Sequence, residues 1–90
     1  MTKDLFRLDE RVAVITGGSR GIGRSIAEEF ARRGARGVIT ARKAEELEAT
    51  ARAINDHGGE ATPIAAHAAR EEAIDSLVEQ VMARYGRIDI

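Results

Sequence analysis

The chain contains no cysteine. This absence excludes disulfide bonds, thiolate nucleophiles and cysteine-based metal sites, and it fits a reducing compartment. Basic and acidic residues nearly cancel, 14 against 15, so the net charge of −1 gives no reason to expect nucleic acid or an anionic membrane as a partner. With 90 residues, 43 % of them apolar and 32 % charged, the chain has the composition of one small globular domain.

Long apolar runs are also lacking. No stretch approaches the roughly 18 residues that a membrane-spanning helix requires. Residues 1–9 alternate charged and apolar side chains and lack the apolar core of a signal peptide. We therefore expect a cytoplasmic protein with no membrane partner.

Short apolar strands alternate with amphipathic helices along the chain. Strands are predicted at residues 12–16, 37–41 and 61–66, and helices at residues 21–33, 44–56 and 71–85. This alternation predicts βαβ units with right-handed crossovers, and therefore an α/β fold with a parallel sheet. The only proline, Pro63, cannot donate a ladder hydrogen bond, so the third strand is expected at an edge.

Apolar residues at helical spacing predict which face of each helix packs on the sheet. For the three helices in order these residues are Ile22, Ile26, Ala27, Phe30 and Ala31; Leu47, Ala51 and Ile54; and Ile74, Leu77, Val78, Val81, Met82 and Tyr85. Residues 87–90 are typical of the opening of a fourth strand. Because the chain stops there, we expect it to be the first part of a longer protein or a truncated one.

The most informative stretch joins the first strand to the first helix. It runs Thr16-Gly17-Gly18-Ser19-Arg20-Gly21-Ile22-Gly23. The first N–H groups of a helix have no intrahelical partners and lie at the positive end of its dipole, and glycines let a ligand approach the backbone closely. The stretch therefore predicts a phosphate-binding turn.

Several interpretations of this turn compete. The spacing G-x-x-x-G-x-G departs from the G-x-G-x-x-G dinucleotide fingerprint. Residues 18–25 nearly spell a P-loop, but Arg24 stands where the lysine belongs, and arginine does not simply replace that compact charge. A turn that is rich in glycine only for packing is a further alternative.

Residues 16–23 resemble the T-G-x-x-x-G-I-G motif of the short-chain dehydrogenase/reductase family and match each of its fixed positions. Residues 86–90, Gly-Arg-Ile-Asp-Ile, resemble the G-x-[IL]-D-[IV] lead-in to an N-N-A-G stretch. The likeness covers residues 8–90, which correspond to the first third of a typical member. It implies a Rossmann-like three-layer sandwich with strand order 3-2-1 and strand 4 beside strand 1. Residues 1–90 would then be the N-terminal part of a single NAD(P)-binding domain, a βαβαβα unit plus the start of strand 4.

The resemblance also implies roles for individual residues at the turn. Gly17, Gly21 and Gly23 would shape it, and Ser19 and Ile22 would offer backbone or hydroxyl donors to the cofactor. Thr16 would brace the turn rather than contact the ligand.

The second strand bears on the choice of cofactor. NAD-dependent enzymes often place Asp or Glu at its end to bind the ribose hydroxyls, whereas this chain has Ala41 followed by Arg42. Arg42 would attract the 2′-phosphate of NADP and pair with it through two N–H groups, with Arg20 as a second cation. NADP is therefore the predicted cofactor, NAD is the alternative, and both arginines as solvated surface charges remain the competing interpretation.

Two other residues invite a functional role. His67 follows the third strand, where family members commonly carry an Asp that contacts the adenine amino group. It would either contact adenine or be an ordinary loop histidine. Tyr85 is the only tyrosine, but the family's catalytic Y-x-x-x-K motif fails because the fourth residue after it is Asp89. No residue set has metal-ligand or nucleophilic-triad spacing, so no catalytic residue and no metal site are predicted.

The resemblance implies hydride transfer between NADPH and a carbonyl or alcohol group of a small-molecule substrate, carried out by a full-length homo-oligomeric protein. The Ser, Tyr, Lys and Asn that such enzymes use do not occur at matching positions here. A hypothesis of a different class is that the 90 residues form a non-catalytic nucleotide-binding or interaction module by themselves.

Overall fold

The computed structural model describes residues 7–17, 21–66 and 70–90. Three strands alternate with three helices in the order β1 (Val12–Thr16), α1 (Gly21–Arg32), β2 (Arg36–Ala41), α2 (Ala44–Asp56), β3 (Glu60–Ala65) and α3 (Glu71–Tyr85). The predicted bounds of β1, α2 and α3 are confirmed. α1 ends one residue earlier than predicted, β2 begins one residue earlier, and β3 is shifted by one residue towards the N-terminus. None of the described helices is long and apolar enough to cross a membrane.

The three strands form one parallel sheet in the order β1-β2-β3. Thr16 lies opposite Thr40, which in turn lies opposite Ile64, so the carboxyl ends of all three strands meet at one edge. The predicted strand order 3-2-1 is confirmed. The order follows from two short right-handed βαβ crossovers that place α1 and α2 on the same face of the sheet.

The sheet has a hydrophobic core on each face, because successive side chains of a strand point to opposite faces. One core joins Ile15 and Ile39 to α1 and α2, where Leu47 is fully buried. The other joins Val12 and Val38 to α3. These two layers of helix around one sheet confirm the predicted three-layer α/β, Rossmann-like architecture.

The outer edge of β3 is protected against further strand pairing. The Ala66 N–H donates to the Ala41 C=O at 3.0 Å, so the peptide groups of Ala66 face β2. Because the N–H and C=O groups of successive strand residues face opposite sides, those of Ala61 and Pro63 face away from β2. The Asn55 side chain covers the first of these: its Oδ1 accepts the Ala61 N–H at 2.8 Å, and its Nδ2 donates to the Ala61 C=O at 3.0 Å. Pro63 has no N–H to offer. The predicted edge position of this strand is confirmed among the described strands.

Residues 87–90 lie along the other side of β1. They are not assigned as a strand, but the Asp89 N–H donates to the Val12 C=O at 2.8 Å and the Val14 N–H donates to the Ile90 C=O at 2.8 Å. The predicted position of a fourth strand beside β1 therefore has its first ladder contacts. Within residues 87–90, Asp89 and Ile90 make these backbone hydrogen bonds to β1.

The helix faces agree with the predicted periodicity only in part. Leu47, Ala51 and Ile54 of α2 are buried as expected. Among the apolar residues of α3 only Leu77 and Val81 are buried, while others are about half exposed: Ile74 43 %, Val78 43 % and Met82 45 %. A single helix touches a sheet along a narrow line, so the described residues cover only one side of this apolar face. On α1, Ile22 is 81 % exposed because it lies at the carboxyl edge of the sheet rather than over it.

A tight turn precedes β1 and ties it to the end of α1. The Leu8 N–H donates to the Arg33 C=O at 2.7 Å, and the Arg11 N–H donates to the Leu8 C=O at 3.0 Å. Within this turn Glu10 has φ +67°, which makes it the only non-glycine residue of the described chain in the left-handed region. A side chain with a Cβ is strained in that conformation.

Replacing Glu10 with glycine is expected to stabilise the protein. The free energy of unfolding should rise by about 0.5–1 kcal/mol, because glycine removes a left-handed strain of about 1–2 kcal/mol and offsets part of that gain through its more flexible unfolded chain. Chemical denaturation measures the change. Glu10→Ala is the control, since it removes the same carboxylate and keeps the Cβ. An equal gain in both variants would show that charge rather than backbone strain is responsible.

Candidate functional site

The glycine turn and the end of β2, which the sequence singled out, both lie at the carboxyl edge of the sheet. Because α1, α2 and α3 each follow a strand, all three helices begin at this edge and direct their positive dipole ends towards it. In an open parallel α/β sheet, this edge is where ligands bind.

The turn between β1 and α1 adopts left-handed backbone at both ends. Gly17 has φ +66° and Gly21 has φ +62°. Among the described residues beyond the immediate chain neighbours, no atom lies within 4 Å of the position that a Cβ would occupy at either residue, and the left-handed backbone itself favours glycine. Gly23 lies half-buried in the first turn of α1. The predicted ligand contacts Ser19 and Arg20 fall outside the described residues.

The N-terminus of α1 differs electrostatically from those of the other two helices. The first turn of α2 carries Glu45 and Glu46, and that of α3 carries Glu71 and Glu72. These carboxylates complement the helix dipole. α1 has no acidic residue in its first turn, so no carboxylate of that turn neutralises the positive end of its dipole. This contrast makes the N-terminus of α1 the candidate anion site among the three helix ends at this edge.

Arg42 lies at the end of the neighbouring strand. It directly follows β2, is exposed, and forms no ion pair with any residue of the described chain. The pairing of Thr16 with Thr40 places the end of β2 beside the glycine turn. Ala41, where an acidic residue would bind ribose hydroxyls, is half-buried and carries no charge. His67, the predicted adenine contact after β3, falls outside the described residues.

A pocket of about 270 Å³ opens at the same edge, between the sheet and α3. Its walls include Thr16, Thr40 and Ala66 near the strand ends, and Ile74 and Val78 of α3. The Thr40 hydroxyl is buried and has no hydrogen-bond partner within the described part of the chain. An unsatisfied buried hydroxyl is unfavourable, so this position calls for a polar partner.

A larger groove of about 460 Å³ lies between α1 and α2, but it lacks the features of a phosphate site. It reaches the C-terminal end of α2, where the dipole disfavours anions and His57 lies 2.8 Å from the Ala53 C=O through its Nδ1. Arg24, one of its cations, is paired with Glu28 at 3.4 Å.

Tyr85 is a structural residue, as the sequence predicted. Its hydroxyl donates to Glu60 Oε2 at 3.0 Å and lies 2.9 Å from Thr62 Oγ1. Glu60 begins β3, so this cluster lies at the amino end of the strands, opposite to the glycine turn. The Arg84 guanidinium lies over the ring, 5.5 Å from its centre, and a hydrogen bond with Tyr85 raises the pKa of Arg84. No group of three potential metal ligands occurs within residues 7–17, 21–66 and 70–90.

Comparison with known proteins identifies the family. The sequence profile described as short chain dehydrogenase matches residues 11–90, which include β1, the glycine turn and all three helices. The chain belongs to the short-chain dehydrogenase/reductase family. This membership favours the T-G-x-x-x-G-I-G interpretation of the turn over the P-loop alternative.

Individual relatives within the short-chain dehydrogenase/reductase family are closely similar. An oxidoreductase of Mycobacterium tuberculosis is 44 % identical over 90 residues, which are 100 % of this chain and 34 % of that protein. A metagenomic short-chain oxidoreductase solved in complex with NADP is 44 % identical, with a TM-score of 0.88 over 92 % of this chain and 38 % of that one. A short-chain type dehydrogenase/reductase from Mycobacterium marinum has a TM-score of 0.93 and 34 % identity over 99 % of this chain and 35 % of that one.

The chain spans about a third of the length of the curated relatives it matches. What the structure brings together is the glycine turn, the acid-free start of α1 and the end of β2. Sequence reasoning missed two further features, the buried hydroxyl of Thr40 and the contact of the Asp89 side chain with β1. The first is visible only once burial is known, and the second joins residues 77 positions apart.

Gly17→Ala tests whether the turn depends on left-handed backbone. The free energy of unfolding should fall by about 1–2 kcal/mol from the conformational strain, because none of the described residues beyond its chain neighbours comes within 4 Å of the new Cβ. Gly37→Ala is the matched control, since its Cβ would make an ordinary 3.5 Å contact at a residue whose φ is not positive. Equal losses in the two variants, measured by chemical denaturation, would contradict the assignment.

Tyr85→Phe separates a structural role from a catalytic one. Losing the hydroxyl should lower the free energy of unfolding by about 1 kcal/mol, because two hydrogen bonds to β3 disappear. The affinity for a cofactor should stay unchanged, since the cluster lies at the opposite end of the sheet. A melting curve and a cofactor titration of the same sample measure both, and a loss of affinity without a loss of stability would refute the structural role.

Proposed function

We propose that this chain is the cofactor-binding N-terminal part of an NADP(H)-dependent oxidoreductase. Residues 1–90 would form the first part of a single NAD(P)-binding Rossmann domain. The observation that carries this proposal is the N-terminus of α1, which has no acidic residue in its first turn and begins at the left-handed glycine turn. Beside it, at the end of β2, lies the exposed Arg42, which pairs with no carboxylate of the described residues. A dinucleotide with an additional phosphate on its ribose needs these two anion-binding elements side by side.

The pyrophosphate of the cofactor would lie against the glycine turn. Gly17, Gly21 and Gly23 leave the backbone accessible, and the first N–H groups of α1, with those of Ser19 and Ile22, would donate to phosphate oxygens. The left-handed backbone of Gly17 and Gly21, with no other described side chain near their Cβ positions, supports this role.

NADP is preferred to NAD because of the end of β2. An acidic side chain at Ala41 would repel a 2′-phosphate and bind ribose hydroxyls, but this position has no charge. Arg42 offers a planar fork of N–H donors that suits a phosphate, and Arg20 would supply a second cation. His67 would contact the adenine ring. The 44 % identical oxidoreductase that was solved with NADP supports the same cofactor class.

The reaction would transfer a hydride between the nicotinamide and a carbonyl or alcohol group of a small substrate, chemistry that the cofactor itself supplies. The residues of this chain would bind and orient the cofactor through the glycine turn and Arg42. No catalytic group is assigned to this chain, because its only tyrosine holds α3 against β3. A non-catalytic module of 90 residues is less consistent with the structure, since it would leave the apolar row of α3 exposed to solvent.

Arg42→Asp tests the choice of cofactor. In the intact protein, the affinity for NADPH should fall by about tenfold to a hundredfold, since a charge-assisted phosphate pair contributes about 1.5–3 kcal/mol. The affinity for NADH should change much less, because it has no 2′-phosphate. Fluorescence titration with each cofactor measures both values.

Arg36→Asp is the matched control for this experiment. It makes the same charge change at the opposite end of the same strand and should leave both affinities unchanged. Equal weakening of NADPH and NADH by Arg42→Asp would contradict the proposed role of Arg42.

A further inference from the structure

Three charged residues of α1 form a row along the groove between α1 and α2. Arg24, Glu28 and Arg32 follow one another at intervals of four residues, so they share one side of the helix, and all three line the groove. Arg24 Nε binds Glu28 Oε2 at 3.4 Å, and the Arg32 side chain is 68 % exposed. This α1 row therefore presents positive, negative and positive charge in turn to whatever enters the groove.

The solvent side of α2 carries the opposite pattern. Glu48, Arg52 and Asp56 have the same four-residue spacing, are exposed, and form no ion pair with another residue of the described chain. Because Ala53 and His57 occupy the side of α2 that lines the groove, helical periodicity turns this α2 row away from α1. The two rows of one chain therefore face different directions and do not pair with each other.

The two rows lie at nearly the same height along their helices. Thr16 of β1 pairs with Thr40 of β2, and Arg24 and Glu48 each follow the paired threonine by eight residues. Both helices start at the same edge of the sheet and run in the same direction, with Arg24 as the fourth residue of α1 and Glu48 as the fifth of α2. A difference of one residue is a rise of about 1.5 Å. Each charge of one row therefore has an opposite charge of the other row at its own level.

A two-fold axis parallel to the two helices brings the rows together. Such an axis leaves every residue at its own height, and it places α2 of a second copy over the groove of the first while the reverse contact forms at the same time. The contacts that result, each formed twice, join Arg24 to Glu48, Glu28 to Arg52, and Arg32 to Asp56 of the second copy.

The floor of the groove allows a helix to approach closely. It consists of Ala31, Ala53 and Ile54, with Gly58 and Gly59 at one end. A Cβ on Gly59 would lie 2.8 Å from the Ala31 Cβ, so this part of the floor has no room for a side chain. Small side chains at a contact permit the short end of the usual interaxial range of about 8–10 Å. Since α2 of each copy lies in the groove of the other, the two Ala53 residues come side by side near the axis.

We propose that the outer face of α1 and α2 is a self-association surface, on which a second copy of this chain docks with its α2 in the groove. Charge complementarity identifies this occupant. A partner must present negative, positive and negative residues at four-residue spacing, and α2 does so at the matching height. Exposed ion pairs stabilise only weakly and are screened by salt, so the association is weak and depends on ionic strength.

Disulfide cross-linking of Ala53→Cys tests the contact near the axis. The chain has no cysteine of its own, and two cysteines join only where their Cα atoms come within about 7 Å. Under mild oxidation with diamide, Ala53→Cys should form a covalent dimer at about 0.1 M salt. The yield should fall severalfold at about 1 M salt, because the Debye length decreases from about 10 Å to about 3 Å. Ser76→Cys, exposed on α3 at the opposite face of the sheet, is the control and should stay monomeric.

Charge reversal in the Ala53→Cys background identifies the pairs. Arg52→Glu should lower the cross-linked fraction by about fivefold or more, because a like charge then faces Glu28 of the second copy in both contacts. Adding Glu28→Arg makes the charges opposite again and should restore the yield. Glu79→Arg on α3 changes the charge of an exposed residue away from this surface and should have no effect. Circular dichroism establishes that each variant is folded.

Three results would overturn the proposal. The first is a yield for Ala53→Cys no higher than that for Ser76→Cys, which would mean that the copies meet only by random collision. The second is an undiminished yield in Arg52→Glu, which would show that the charge rows do not hold the contact. The third is a folded double variant that stays monomeric, since restored complementarity would then have no effect.

Discussion

The structure depends on hydrogen bonding at both edges of β1. On one side β2 pairs with it residue by residue from Val12 to Thr16, and on the other side residues 89 and 90 bind its first amides. Val12 and Ala13 are completely buried as a result. A backbone amide in such surroundings must have a partner, so the segment after α3 returns to β1. The position of β1 then determines where its carboxyl end and the glycine turn lie.

The glycine turn follows this buried strand at the carboxyl edge of the sheet, where we propose that the cofactor binds. Left-handed backbone at Gly17 and Gly21 reverses the chain within a few residues, which only glycine does without strain. The following helix carries no acid in its first turn, whereas α2 and α3 neutralise their own dipole ends with glutamates. The difference between the three helices is electrostatic, and it distinguishes the one helix end that suits a phosphate from two that only stabilise themselves.

Most of the architecture was predictable because it rests on local periodicity. Strand and helix periods differ, so the six elements were located to within one residue, and Pro63 predicted an edge strand that the structure confirms. The periodicity of α3 was misleading in one respect. It predicted a packed face of six apolar residues, of which the described chain buries only Leu77 and Val81. Helical periodicity shows which apolar residues share a face of the helix, but it does not show which of them the rest of the protein buries.

The sequence by itself determined the order and type of the elements, the parallel α/β class and the position of the glycine-rich turn, because these depend on residues close together in the chain. Only the tertiary structure showed that Asn55 covers the open edge of β3 and that the Asp89 carboxylate accepts the Val12 N–H. It also showed that the Thr40 hydroxyl is buried with no hydrogen-bond partner among the described residues. The contact between Asp89 and Val12 joins residues 77 positions apart. Such contacts arise when the folded sheet brings distant segments into register, and no local pattern of residues encodes that distance.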